Sequence, residues 1–152
     1  MNTPSQAAPR TAPPRSLAES RLRRHADYQR AYAASRKRQS ASMSWFLALQ
    51  PEVLEPLPGA GVPQGPRVGL TAGKVLGKAH ERNRIKRRMR EAVRLHIDLL
   101  PPGCDLILHP RRTVLSLEFA KLEAEVVRIL EQARSEAARM KAHPAKSEAR
   151  QP

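Results

Sequence analysis

The apolar positions change their period along the chain, and each change marks an element. Ala26 to Ala34 puts Tyr28 and Tyr32 four residues apart, on one face of a short predicted helix. Ser40 to Leu49 alternates at first and then becomes solidly apolar, which predicts a strand. Arg67 to Ala72 alternates again, and the pattern predicts that it pairs with the 40–49 strand. Residues 51–66 would then be a long hairpin connection; they hold five Pro and three Gly, the composition of a surface loop. From Ala79 to about Leu100 the period is helical, and Ile85, Met89, Ala92, Val93 and His96 share one sector of the helix. Pro101-Pro102-Gly103 stops it. Cys104 to His109 reads as a buried strand. Ser116 is the predicted N-cap of a last helix, with an apolar stripe of Phe119, Leu122, Val126, Ile129, Ala133 and Ala137. This order predicts a compact α/β fold with helices against one sheet.

The chain has 152 residues, the size of one domain. The pattern assigns residues 1–19 to a disordered, basic, Pro-rich tail and 20–140 to a single α/β domain. Residues 141–152 are predicted to fray. Residues 1–18 lack acids, as a transit peptide does, but four prolines break the amphipathic helix such a peptide needs. A cytoplasmic protein is the expectation. No apolar run is long enough to span a membrane.

Charge changes the picture more than size does. The net charge is +14, and it is concentrated. Residues 1–50 hold nine Lys/Arg and two acids; residues 74–94 hold nine and two again; the remainder is neutral. Two basic blocks imply a polyanionic partner rather than a general aid to solubility. In the second block, Asn83, Arg84, Arg87, Arg90 and Arg94 lie opposite the apolar sector, and Arg82 and Lys86 flank it. Six of the nine residues from Arg82 to Arg90 are cationic, so they would repel one another on a helix left without anions. Arginine predominates, which suits bidentate contact with phosphate or base edges. A membrane-surface helix would need bulky apolar residues where Ile85, Met89, Ala92 and Val93 are required as core. A basic zipper would need leucine heptads after Arg94, and Pro101 intervenes.

Catalytic chemistry is harder to find. One cysteine, Cys104, excludes an internal disulfide and reads as a small buried side chain. The five histidines lack metal-ligand spacing. Asp98 and Asp105 flank a turn and read as solvent-facing. His96 reads as a core-edge residue. Only five residues are aromatic, and four of them lie between Tyr28 and Phe46. Aromatic rings over a sheet can stack on unpaired bases, or they can simply pack helix on sheet.

The stretch Arg67-Val-Gly-Leu-Thr-Ala-Gly-Lys-Val-Leu-Gly-Lys-Ala-His-Glu-Arg-Asn-Arg-Ile-Lys-Arg-Arg-Met-Arg-Glu91 resembles the signature of the bacterial ribonuclease P protein component. The upstream Asp27-Tyr28-Gln29-Arg30-x-Tyr32 fits as well, and the resemblance runs from about Leu22 to Leu130. It implies a two-layer α/β sandwich with a small mixed sheet, similar to the second domain of ribosomal protein S5, with a left-handed βαβ crossover. It implies a protein that binds ribonuclease P RNA and the 5′ leader of precursor tRNA and is not itself catalytic. Mg²⁺ held by the RNA subunit and substrate would serve the cleavage, and no obligate protein partner is implied. Arg82, Asn83, Arg84, Lys86, Arg87 and Arg90 match the RNA-binding motif. Tyr28, Tyr32, Phe46 and Lys74 match the leader cleft. Val75 stands where the family often has a second lysine, and Lys78 is the nearest substitute. Two other classes fit the basic helix: a structured-RNA binder without a role in cleavage, and a DNA-binding regulator.

Overall fold

The computed structural model describes residues 12–51 and 65–142. Helix α1 spans His25–Ala34, strand β1 Arg38–Gln39, β2 Met43–Leu49 and β3 Arg67–Leu70. Helix α2 spans Ala79–His96, β4 Cys104–Pro110 and α3 Phe119–Ala142. Short 3-10 turns precede α1 and α2 and flank β4. The expected tail reading for 1–11, most of the 51–66 loop and the expected fraying beyond 142 fall outside the described residues. The body starts earlier than residue 20, because Leu17 is buried in the main core.

The sheet order is β1-β2-β4-β3. β2 and β4 run antiparallel, from Met43 opposite Pro110 to Leu49 opposite Cys104. β3 runs parallel to β4, with Arg67 opposite Asp105 and Leu70 opposite Leu108. The expected pairing of 40–49 with 67–72 therefore does not form, and 51–66 is not a hairpin connection. β4 separates the two strands. Its Leu106, Ile107 and Leu108 are all buried, so it needs cover on both faces and a strand on each side. β3 buries only its middle residues and suits a more peripheral place. Its outer side is partly closed by the Leu22 amide, which donates to the Val68 carbonyl at 2.9 Å.

The strand expected from Ser40 is broken. Chain direction reverses at 40–42, and a two-residue β1 pairs with Trp45 and Ser44. Buried Glu125 of α3 fastens this turn, accepting from the Ser42 amide at 2.7 Å and from the Ser40 hydroxyl. The Arg111 guanidinium, just past β4, closes it by donating to the Ser40 carbonyl at 3.0 Å. α3 starts at Phe119, where the Leu122 amide donates to the Glu118 carbonyl; Ser116 ends the preceding 3-10 turn and is not the N-cap.

Alternation sends β2 and β4 side chains to two different cores. Met43, Trp45, Leu47, Leu106 and Leu108 meet Ile85, Met89 and Val93 of α2 and Leu122, Val126 and Ile129 of α3. The opposite face carries Ala48 and Ile107 with Leu22, Ala31, Tyr28, Tyr32 and Phe46. The α/β sandwich is as expected, with α1 added on the far side of the sheet. β3, α2 and β4 form the parallel βαβ unit. Cys104 is buried, as expected, and burial pushes its thiol up to about 11.

Candidate nucleic-acid interface

Helix α2 buries Ile85, Met89, Ala92 and Val93, which fixes where its other side chains point. Asn83, Arg84 and Arg87 are exposed, while Arg82, Lys86 and Arg90 are half-buried beside them. Two further arginines of the basic run are engaged inside the molecule. Arg88 donates to the Leu117 carbonyl. Arg94 is held by Glu91 at 2.7 Å and by the Pro14 carbonyl at 2.8 Å. His96 meets Glu123 at 2.6 Å at the edge of the core, where the sequence put it.

The start of α2 is pinned to the end of β4. Glu81 accepts from the Lys78 amide at 2.9 Å and takes both terminal nitrogens of Arg112, at 3.0 and 2.7 Å. Arg112 also donates to the Leu76 carbonyl at 2.8 Å. These guanidinium and amide bonds hold the Glu81 carboxyl down at about 2. Gly77 has a φ of +126°, and a Cβ there would collide with Arg112 and Glu81, so this tight entry requires glycine. Lys74 is exposed on the 3-10 turn that leads from β3 to α2, and Val75 beside it is 91% exposed.

The second group lies on the α1 face of the sheet. Tyr32 stands edge-on to Phe46 with ring centroids 5.0 Å apart, and its centroid is 6.4 Å from that of Tyr28. The Tyr28 ring lies against Gly69 of β3, where a Cβ would come within 2.5 Å of its hydroxyl. All three rings are half-buried. Burial raises the pKa of both tyrosines, so each hydroxyl keeps its proton. The Tyr28 hydroxyl donates to the Leu22 carbonyl at 3.3 Å.

His109 completes this group, and sequence reasoning missed it. Its ring centroid is 5.7 Å from Tyr32 and 5.2 Å from Phe46, and its Nε2 is 2.7 Å from the Tyr32 hydroxyl. Burial and the nearby Lys37 charge lower its pKa. The signal was alternation along β4, which puts His109 on the same face as Ile107.

A buried ion network holds α1 to this face. Arg67 donates twice to Asp105, at 2.8 and 2.9 Å, and reaches Asp27 of α1 at 3.4 Å. Arg30 of α1 pairs with Asp27 at 2.8 Å and Asp105 at 3.4 Å. Asp105 is 1% exposed, so the solvent-facing reading of it is corrected. Its partners come from α1 and β3, and their approach depends on strand order. The carboxylates nearest the rings are thus committed to guanidinium groups.

The structure brings Tyr28, Tyr32 and Phe46 together and keeps the α2 cations apart from them, across the sheet. The ring cluster and the start of α2 are both tied to the same end of β4. There β4 ends in His109 on one face, and two residues past its end Arg112 grips the start of α2. Lys74 sits on the connection between the groups.

A model of the ribonuclease P family matches residues 17–134. A ribonuclease P protein component from Chloroflexus aggregans is 38% identical over 114 residues, 74% of this chain and 76% of that one. Another from Thermobifida fusca is 32% identical over 108 residues, 70% of each chain. The Staphylococcus aureus RNase P protein superposes with a TM-score of 0.60 at 23% identity, covering 76% of this chain and 95% of that one. The Thermotoga maritima RNase P protein superposes at 0.59 and 22%, covering 74% and 96%. The family match spans the α2 basic helix, the aromatic face and the scaffold between them, and the chain belongs to the ribonuclease P protein family.

Proposed function

We propose that this chain is the protein subunit of a cytoplasmic ribonuclease P and promotes removal of the 5′ leader from precursor tRNA. The exposed Asn83, Arg84 and Arg87, with Arg82, Lys86 and Arg90 beside them, bind the catalytic RNA. Tyr28, Tyr32 and Phe46 receive the single-stranded leader, with Lys74 contacting its phosphates. Mg²⁺ held by the RNA subunit and the substrate supplies the hydrolytic chemistry. The protein accelerates the reaction by positioning, since two anchoring surfaces on one rigid sheet fix the leader relative to the RNA.

The observation that carries this reading is the half-buried ring cluster held on one face of the sheet, with an exposed cationic helix packed on the other. A binder of structured RNA needs the cations alone. Unstacked bases are what reward an aromatic platform. A major-groove DNA reader is disfavoured because α2 is packed along its length and pinned at its start, and does not project.

The test is reconstitution with a bacterial ribonuclease P RNA at low Mg²⁺, following cleavage of a precursor tRNA. Stimulation over RNA alone is expected. No stimulation, or cleavage by the protein without RNA, overturns the reading.

A further inference from the structure

We infer that His109 reads the identity of one unpaired leader base through the edge of its imidazole, beside the Tyr32 and Phe46 rings. This inference rests on the leader cleft proposed above and adds a specificity-determining residue to it. Three observations carry it.

The first is place. His109 is the last residue of β4 on the α1 face, at the strand end to which the ring cluster and the start of the basic helix are both tied. A leader running between the two surfaces passes this point. The second is orientation. The imidazole stands at 87° to Tyr32 and at 53° to Phe46, so it is not stacked on either ring. A base laid parallel to the Tyr32 ring would therefore cross the imidazole plane rather than stack on it. Nε2 is engaged by the Tyr32 hydroxyl, which fixes the ring, and Nδ1 has no partner among the described residues. The third is charge. Phosphate recognition asks for a cation, and the exposed arginines and lysines supply it. Partial burial and Lys37 both favour the neutral imidazole. A neutral ring with one nitrogen pinned presents a directional donor or acceptor, which suits the polar edge of a base.

Simple packing against Tyr32 would produce the same ring contacts, so the test must separate the two roles. The reconstituted holoenzyme is titrated with precursor tRNAs carrying each of the four bases at each leader position in turn. Mature tRNA serves as the control. The wild-type protein is expected to show one leader position with about a fivefold spread in affinity, the effect of one net hydrogen bond. His109→Phe keeps a ring and should reduce that spread below about twofold, with mature tRNA affinity unchanged. No spread in the wild type, or an undiminished spread in His109→Phe, overturns the inference. If the Phe variant does not fold, His109→Leu, which also lacks a donor and an acceptor, replaces it; an undiminished spread there has the same meaning. Should the wild-type holoenzyme bind precursor and mature tRNA equally, the leader cleft itself fails and the inference falls with it. Should that discrimination hold while the spread survives mutation, only the role of His109 falls.

Discussion

Asn83, Arg84 and Arg87 come from one helix and stand in solvent, whereas Tyr28, Tyr32, Phe46 and His109 come from three elements and are half-buried. The first surface is made by helical period alone. Once Ile85, Met89 and Val93 enter the core, the cations have nowhere else to point. The second exists only if β4 lies between β2 and β3 and if α1 is held above them. A mutation can therefore remove a cation without touching the fold, but the ring cluster is continuous with the core and its ion network.

The largest expected effect tests that coupling. Asp105→Ala leaves the Arg67 and Arg30 guanidinium groups without the carboxylate they share. It should cost about 3–5 kcal/mol of folding stability, as breaking a buried pair does. Arg84→Ala should change stability by less than about 0.5 kcal/mol, as exposed substitutions do. Thermal or denaturant unfolding of the two variants measures the contrast. Similar stabilities would mean that the ring-bearing face is not tied to the fold in this way.

The next effect is on binding. Arg82→Ala combined with Arg84→Ala should weaken affinity for the catalytic RNA by about 3 kcal/mol, the low end for two bonds to charged groups at about 1.5–3 each. The salt dependence should flatten as well. Each lost phosphate contact removes about 0.7–0.9 from the log–log slope. Binding isotherms at several salt concentrations check both, and an unchanged slope would exclude phosphate contact by these two residues.

Tyr28→Ala should cost about 1–3 kcal/mol in precursor tRNA binding, the range for losing one base stack. Mature tRNA binding should stay the same, because it has no leader. Equal losses for both would reduce Tyr28 to a packing residue. With the Arg82/Arg84 pair, this variant divides the two surfaces by substrate rather than by stability.

The same contrast explains what could be read from the chain. The α2 face was legible because a helix writes its faces into local spacing. Tyr28 and Tyr32 were legible for the same reason, four residues apart on α1. Phe46 came from the family resemblance, and its partners did not come at all. His109 and Asp105 acquire meaning only from strand order. Adjacency in sequence suggested that 40–49 pairs with 67–72, while the βαβ unit inserts β4 between them. With that neighbour missing, Asp105 had no Arg67 opposite it and looked like a surface carboxylate. Glu125 was hidden in the same way, because its partners are backbone and hydroxyl groups of a turn 83 and 85 residues away.

The smallest expected effect concerns Glu81, an acid in the most basic part of the molecule. Its carboxyl lies at about 2 in the folded protein, below the usual carboxylate value of 4.5. The stability it contributes is complete above pH 4.5 and is lost as pH falls towards about 2. Glu81→Gln should therefore flatten the decline of melting temperature between pH 5 and pH 3. His109, lowered from 6.5, loses stability as pH falls below that value; this contribution is shared by both proteins and cancels in the comparison. The bond to the Lys78 amide sits at the positive end of the helix, where an anion is favoured, and the bond to Arg112 draws one cation away from the basic face. If the two melting curves keep the same pH slope, the start of α2 is held by its apolar face and Gly77 alone. The carboxylate clamp would then contribute nothing to the placement of Arg82 and Asn83.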